Sequence, residues 1–347
     1  MRQLSSLLSG LARSLSMRRR KDEQERSGRE AADELAKEAK KRDMILRSSG
    51  TVSGEGSSNF VAVYSRRGEK GVNQDCSIVW EGFGCQEDMI FCGIFDGHGP
   101  WGHYVARKVR ESLPPCLLCS WQESLALTSL VADKKLCEFD LWKESYIAAC
   151  EIVDRELELN GGLDSFHSGS TALTIVKQGE LMVIANVGDS RAVLATTSDE
   201  GRLVPVQLTV DFKPNLPQEA ARIAQCSGRI YCLNDEPGVH RMWLPNEETP
   251  GLAMSRAFGD YCLKDYGLIS APEVTQRSIN QKDKFIVLAT DGIWDVISNQ
   301  EAIEIVSSTK EREKSAKRLV QRAIRAWNHK RKGIAVDDCS AVCLFFS

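Results

Sequence analysis

The apolar positions of this chain form short runs that stop abruptly at a carboxylate. Residues 89–95 are an almost uninterrupted apolar run, followed directly by Asp96, a glycine and a histidine. The run is short for a helix and has the composition of a buried strand. Residues 285–290 repeat the pattern and end at Asp291 and a glycine. Such a strand fixes the position of its terminal carboxylate, while glycine lets the backbone turn sharply beside it.

Several predicted strands follow one another with only tight turns between them. Residues 168–176, 181–187 and 191–195 are predicted to be three successive strands, the last two joined by a turn that carries Asp189. Successive strands of this kind imply antiparallel pairing and not a doubly wound parallel sheet. Further strands are predicted at 60–64, 77–80 and 339–346.

Helical spacing of apolar residues predicts a few longer helices between the strands. The predicted ranges are 101–113, 141–159, 300–308 and 313–327. The first of these helices is expected to end at Leu113, because Pro114 and Pro115 follow.

Residues 211–250 are rich in proline and show little periodicity apart from a short helix predicted at 218–226. A long irregular stretch inside a globular domain is usually a functional flap. Trp243 lies within it and allows two interpretations: the indole contacts a partner at the surface, or it packs inside the flap.

The N-terminal residues differ from the rest of the chain. Residues 1–20 contain five arginines, no acidic residue, and leucines at helical spacing, so they are a transit peptide, a membrane-surface contact or a disordered arm. Residues 21–47 are densely charged and predict a solvated helix, and 48–58 are rich in glycine and serine, as in a linker. A catalytic domain is therefore predicted to start near Phe60 and to extend to the end of the chain.

Composition narrows the class of protein. Of the 347 residues, 42% are apolar, which is enough for a sizeable core. The net charge of −3 gives no overall electrostatic field that would attract nucleic acid or an anionic membrane. Twelve cysteines show no disulfide framework, which favours free thiols in a reducing compartment such as the cytoplasm or nucleus. The pair at Cys116 and Cys119 is expected to pack in the core, and no apolar stretch is long enough to span a bilayer.

Six aspartates lie at or beside the ends of the predicted strands. They are Asp75, Asp96, Asp189, Asp291, Asp295 and Asp337. Carboxylates gathered at one rim repel each other unless cations lie between them, and oxygen ligands select Mg²⁺ or Mn²⁺ over zinc. Two such ions about 3.5–4 Å apart activate a water and hold a phosphoryl group. Any one aspartate alone is more readily a turn residue, but the ordered set favours a two-metal centre.

Seven segments carry a resemblance to a known family. They are KGVNQD at 70–75, FDGHG at 95–99, SGSTA at 168–172, VGDSRA at 187–192, LAMSRAFGD at 252–260, ATDGIWD at 289–295 and DDCS at 337–340. In this order they resemble metal-dependent serine/threonine protein phosphatases of type 2C (PPM type), in the style of the plant branch. The resemblance covers residues 60–347, and the ordered series is far more specific than any single motif.

The resemblance implies an α+β fold, an α-β-β-α sandwich in which two antiparallel sheets pack face to face between helices, with a flap insertion. It implies a monomeric enzyme of plant signalling that hydrolyses phosphoserine and phosphothreonine in proteins with a metal-activated water. Its partners would be phosphorylated proteins, with no nucleic acid.

The resemblance also assigns the metal ligands. Asp96 would bridge two Mg²⁺ or Mn²⁺ ions, the carbonyl of Gly97 would bind one of them, and Asp291 and Asp337 would bind the other. The family's Asp-Asn-x-Ser ending favours Asp337 over Asp338, and that choice stays open.

The remaining roles follow in the same way. Asp75 would hold metal-bound waters, and Asp189 with Asp295 would help form a weaker third metal site. His98 would be the general acid, and a water between the two metals would attack phosphorus in line, without a phospho-enzyme intermediate.

Two residues depart from the usual pattern of the family. Lys70 stands where many members have an arginine that grips the phosphate, so it offers a point charge in place of a bidentate fork. Gln74 stands where many members have glutamate. These departures suggest an alternative, a catalytically weak scaffold that binds phosphoproteins. A third possibility, a metal-dependent nuclease, is disfavoured by the excess of acidic over basic side chains.

Overall fold

The computed structural model describes residues 28–41, 44–53, 60–130, 137–249 and 251–346. The basic segment 1–20 lies outside these ranges, so its three interpretations stay predictions. The strands are β1 (Ile45–Leu46), β2 (Gly50–Ser53), β3 (Phe60–Arg66), β4 (Cys76–Glu81), β5 (Met89–Phe95), β6 (Gly97–His98), β7 (Gly169–Ser170), β8 (Ala172–Gln178), β9 (Leu181–Val187), β10 (Arg191–Thr197), β11 (Leu203–Gln207), β12 (Arg229–Tyr231), β13 (Arg241–Trp243), β14 (Phe258–Gly259), β15 (Glu273–Ser278), β16 (Asp283–Ala289) and β17 (Cys339–Phe345). The α-helices are α1 (28–41), α2 (Gly102–Leu130), α3 (Glu138–Glu158), α4 (Pro217–Gln225), α5 (Tyr261–Lys264), α6 (Asp291–Trp294), α7 (Asn299–Ser307) and α8 (Ser315–Lys330).

Two six-stranded sheets form the centre of the molecule. The first has the strand order β1-β4-β5-β8-β9-β15, and the second has the order β11-β10-β16-β17-β3-β2. All neighbouring strands of both sheets pair antiparallel, as the succession of strands in the sequence predicted.

Strand β5 lies inside the first sheet and is buried on both faces. Ile90 and Ile94 pack in the cluster between the two sheets, whereas Phe91 and Phe95 point to the opposite face and pack with the helices. Because side chains alternate along a strand, burial of both faces requires a continuous apolar run. This explains the uninterrupted pattern at 89–95.

Helices cover the outer face of each sheet. On the first sheet, α2 and α3 pack over the strands, and Trp142 and Tyr146 of α3 are fully buried there. On the second sheet, α8 lies over β17 and β3 and buries Leu319, Ala323 and Trp327. The predicted α-β-β-α sandwich is therefore confirmed.

The folded part of the chain starts before the predicted boundary at Phe60. β1 pairs with β4 at one edge of the first sheet, and β2 pairs with β3 at one edge of the second. Helix α1 buries Ala32 and Ala39 in the cluster of the first helical layer. Strands of two and four residues are too short to show periodicity, so the sequence assigned this stretch to a solvated helix and a linker.

Helix α2 continues through Pro114 and Pro115, so the predicted end of this helix was wrong. An interior proline removes a backbone hydrogen bond and costs about 3 kcal/mol. Leu117 and Leu118, just beyond the prolines, are fully buried. Burial of each such side chain contributes about 1.5–3 kcal/mol, and packing of the second half of the helix offsets the cost.

The proline-rich stretch at 211–250 has a small core that is separate from the sheets and includes Ile223 and Met242. Trp243 is 3% exposed, stacks on Tyr231 with ring centroids 4.7 Å apart, and donates a hydrogen bond to the Tyr231 carbonyl at 3.2 Å. Trp243 therefore packs inside the flap, which decides between its two interpretations.

Candidate active site

The register of the first sheet brings two of the predicted aspartates to one end. Cys76 at the start of β4 pairs with Phe95 at the end of β5. Asp75 directly precedes β4 and Asp96 directly follows β5. Both carboxylates therefore leave the sheet on the same rim.

The second sheet places the other predicted aspartates together. Ala289 at the end of β16 pairs with the first residue of β10 and lies near the start of β17. Asp291 follows β16, whereas Asp189 precedes β10 and Asp337 precedes β17. Asp295 lies one turn further on, where its backbone N–H donates to the Asp291 carbonyl at the end of α6.

A hydrogen bond connects the two sheets at this rim. Thr290 Oγ1 donates to Asp75 Oδ2 at 2.9 Å, while Asp75 Oδ1 is buried and has no partner in the described part of the chain. Burial above all, with the charges of Asp338 and Asp337 added, raises the pKa of Asp75 to about 7. The protein alone therefore compensates the negative charge of the Asp75 carboxylate poorly.

The pKa values of the central carboxylates, Asp96 and Asp291, are raised in the same way. Burial first, and then the charges of neighbouring aspartates, raise the pKa of Asp96 and of Asp291 well above the usual range. The neighbours that act on Asp96 are Asp75, Asp291, Asp337 and Asp189. Carboxylates this crowded require cations to remain ionised together.

Two lysines supply part of that positive charge. Lys70 Nζ lies 2.5 Å from Asp337 Oδ2, and Lys213 Nζ lies 2.5 Å from Asp189 Oδ2. Burial opposes the charged form of Lys213, but Asp189 and then Asp291 outweigh it and raise the pKa of this ammonium. No local pattern singles out Lys213, because its partner Asp189 lies on a different segment.

The donor chemistry of the rim fits hard divalent cations, although the side chains are not arranged as a finished coordination set. In the described ranges, no three His, Cys, Asp or Glu side chains converge as metal ligands, since Asp189 and Asp337 are turned toward lysines. Asp75 Oδ1 and Asp189 Oδ1 are nevertheless buried carboxylate oxygens without a partner. Oxygen donors of this kind suit Mg²⁺ and Mn²⁺.

His98 lies at the same rim and is held by a residue that the sequence did not predict. Its Nε2 is 2.5 Å from Oδ2 of Asp260, a carboxylate that is 2% exposed. Burial opposes protonation of His98, but the charge and the hydrogen bond of Asp260 outweigh it and raise the pKa of the imidazole. Gly169 leaves room for the pair, because a Cβ there would lie 2.6 Å from His98 Nε2.

Comparison with known proteins identifies the family. The family model described as Protein phosphatase 2C matches residues 65–331. The chain belongs to the protein phosphatase 2C family.

Similar proteins match most or all of the length of this chain. An Arabidopsis thaliana protein named "Probable protein phosphatase 2C 34" is 67% identical over 345 residues, covering 99% of this chain and 96% of that one. "Probable protein phosphatase 2C 48" of Oryza sativa subsp. japonica is 64% identical over 354 residues, covering 100% and 99%. The crystal structure of serine-threonine phosphatase 2C from Toxoplasma gondii superposes with a TM-score of 0.77 at 25% identity, covering 87% of this chain and 99% of that one.

As a protein phosphatase 2C, the chain is a metal-dependent protein serine/threonine phosphatase that acts on phosphoproteins, and its relatives are of the plant type. None of the helices in the described ranges is long and apolar enough to cross a membrane.

Asp338 and Asp337 have different surroundings in this phosphatase. Asp338 Oδ1 accepts a hydrogen bond from the Gly68 N–H at 2.7 Å, and Oδ2 accepts one from the Gln74 N–H at 2.8 Å. Both oxygens of Asp338 therefore hold the loop before β4. Asp337 instead faces Lys70 at the rim.

Gln74, which departs from the family pattern, has a specific contact. Its Nε2 donates to the carbonyl of Gly99 at 3.1 Å, which connects the loop before β4 to the start of α2. A glutamate could not donate this hydrogen bond. Gln74 therefore has a local structural role that glutamate could not take over.

Proposed function

We propose that the rim aspartates hold two Mg²⁺ or Mn²⁺ ions and that the enzyme hydrolyses phosphoserine and phosphothreonine in proteins of plant signalling. The observation that carries this proposal is the gathering at one rim of Asp75, which is buried, and Asp96 and Asp291, which are half-buried, with raised pKa values. Crowded carboxylates of this kind are poorly stabilised without divalent cations.

The proposed ligands are those that the resemblance to the family implies. Asp96 would hold both ions, the carbonyl of Gly97 would hold one, and Asp291 with Asp337 would hold the other. Position 97 requires glycine, because a Cβ there would lie 2.4 Å from the Gly102 carbonyl oxygen.

The outer aspartates complete the centre. Asp75 would hold metal-bound water through its unpartnered oxygen. Asp189 and Asp295 would form a weaker third site, for which Asp189 would have to leave Lys213.

The bound ions supply Lewis acidity that activates a water nucleophile and offsets the charge of the phosphate. His98, whose protonated form the neighbouring Asp260 carboxylate favours, would give its proton to the leaving serine or threonine oxygen. Lys70 contributes a positive charge near the phosphate as a point contact. The complete set of aspartates and the structural role of Gln74 do not favour the scaffold alternative.

The test is hydrolysis of p-nitrophenyl phosphate and of a phosphothreonine peptide by the full-length chain. We expect both to need added Mn²⁺ or Mg²⁺, to stop with EDTA, and to resist okadaic-type inhibitors. Asp96→Asn should abolish turnover, whereas Asp199→Asn, at an exposed carboxylate paired with Lys282, should not. Turnover that persists without any divalent ion would overturn the proposal.

A further inference from the structure

Three exposed aromatic side chains lie near the candidate active site. They are Trp101 at 45% exposure, Tyr104 at 46% and Phe166 at 52%, and they are the aromatic members among the exposed large apolar residues of the described ranges. Large aromatic rings are mostly buried in soluble proteins, and a cluster of exposed ones marks an interaction surface. We call these three residues the aromatic patch.

The patch is built on two segments in direct contact. Trp101 and Tyr104 lie at the start of α2, with ring centroids 5.5 Å apart. Phe166 lies on the loop before β7, and this loop is bonded to the first segment, because the Trp101 N–H donates to Ser168 Oγ at 2.9 Å. The Phe166 carbonyl accepts a hydrogen bond from the Cys262 N–H at 3.1 Å, which fixes the loop against α5.

The same two segments carry His98. His98 in β6 pairs with Gly169 in β7. Trp101 follows His98 by three residues, and Phe166 precedes Gly169 by three residues. Since an extended chain spans at most about 3.6 Å per residue, the backbones of both aromatic residues lie within about 11 Å of this pair.

We propose that the aromatic patch binds apolar side chains next to the phosphorylated residue of protein substrates. This inference rests on the proposed function, in which His98 contacts the leaving oxygen. A general acid acts within about 2.6–3.2 Å of the atom that it protonates, so the phosphorylated residue must lie at His98. Residues two or three positions along an extended substrate are then about 7–11 Å away, and the backbones of Trp101 and Phe166 lie within the same range.

The chemistry of the patch suits this occupant. Tryptophan and tyrosine offer large, rigid apolar surfaces and are enriched where few residues carry most of the binding energy. The two segments are held by hydrogen bonds to the Ser168 side chain and to the backbone of Phe166, so little conformational freedom is lost when a side chain is bound. The patch therefore determines a preference for sequence around the phosphate and not the chemistry itself.

The test uses phosphothreonine peptides of glycine and serine in which a single leucine is placed at successive positions on either side. In the wild-type enzyme with Mn²⁺, we expect leucine at one or two positions to raise kcat/KM about 10-fold over the all-polar peptide. In Trp101→Ala and Phe166→Ala, and most clearly in the double variant, this ratio should fall toward one. Ile147→Ala, which removes an equally exposed apolar side chain from α3, should keep the ratio.

The possible outcomes separate the two proposals. Equal turnover of all peptides by the wild-type enzyme, or a leucine preference that survives in the double variant, would overturn the role of the patch and leave the phosphatase function standing. Lack of Mn²⁺-dependent turnover of p-nitrophenyl phosphate by the wild-type enzyme would overturn the proposed function and this inference with it.

Discussion

Asp260 Oδ2 lies 2.5 Å from His98 Nε2, although 162 positions separate the two residues in the chain. Asp260 adopts a left-handed backbone conformation with φ 51°, which non-glycine residues rarely do, immediately before α5. A conformation of this kind is retained only where its surroundings enforce it. Here it directs the carboxylate toward the imidazole.

We expect Asp260→Asn to lower turnover of phosphothreonine peptides by about 10²-fold, within the usual contribution of general acid catalysis. The amide cannot stabilise a protonated His98 as the carboxylate does. Hydrolysis of p-nitrophenyl phosphate should be much less affected, because its leaving group needs little protonation. Comparing kcat for the two substrates measures this difference.

Asp265→Asn, at an exposed aspartate at the other end of α5, is the control for Asp260→Asn and should leave both substrates unaffected. Equal losses with both substrates in Asp260→Asn would instead assign Asp260 a structural role.

Gln74→Glu tests the departure at the loop before β4. The carboxylate cannot donate to the Gly99 carbonyl and adds a negative charge beside Asp75, so we expect the metal-free protein to lose about 0.5–1.5 kcal/mol of stability. The same charge should lower the Mn²⁺ concentration needed for half-maximal activity. Urea unfolding in EDTA and a Mn²⁺ titration measure the two effects. If the free energy of unfolding is unchanged, the Gln74 hydrogen bond does not stabilise the fold.

The sequence could predict the strands that carry the site because their burial leaves a direct pattern. The continuous apolar run at 89–95 and the aspartate after it follow from a strand buried on both faces. Antiparallel registers then place Asp75 and Asp96 on one rim, as expected from successive strands. In such strands, the side chains that make up the local apolar pattern are the same ones that the fold buries.

Other features could not be read from local pattern. Lys213 and Asp260 acquire their roles from partners 24 and 162 positions away, and no spacing rule connects such pairs. The continuation of α2 through Pro114 and Pro115 depends on tertiary packing that outweighs a strong local signal. The short strands β1 and β2 form only because a sheet edge is available to each.

Glu219→Gln should destabilise the protein in a pH-dependent way. Burial opposes ionisation of this carboxylate, but hydrogen bonds from Arg222, Arg256 and Ser255 outweigh it and lower the pKa from 4.5 to about 2. Since the folded-state pKa is below the unfolded value, the stabilisation is fully present above about pH 4.5 and is lost as the pH falls toward 2. We expect a loss of about 3 kcal/mol at pH 7 that shrinks at pH 3.

Urea unfolding of the Glu219→Gln variant and the wild type at both pH values measures this. Glu248→Gln, at an exposed residue of the same flap, should match the wild type throughout. A difference that is as large at pH 3 as at pH 7 would show that packing, and not the charge, is responsible.

Lys213→Met tests the charge balance of the rim. Asp189 is 1% exposed and paired with Lys213, so removing the ammonium leaves a buried carboxylate uncompensated, at a cost of about 3–5 kcal/mol. Mn²⁺ should restore much of this loss, because Asp189 is then free to bind the cation. Thermal unfolding in EDTA and in Mn²⁺ separates these states, with Lys282→Met, at an exposed ion pair with Asp199, as the matched control. An equal loss in EDTA and in Mn²⁺ would mean that Asp189 does not take part in metal binding, and the third metal site would have to be abandoned.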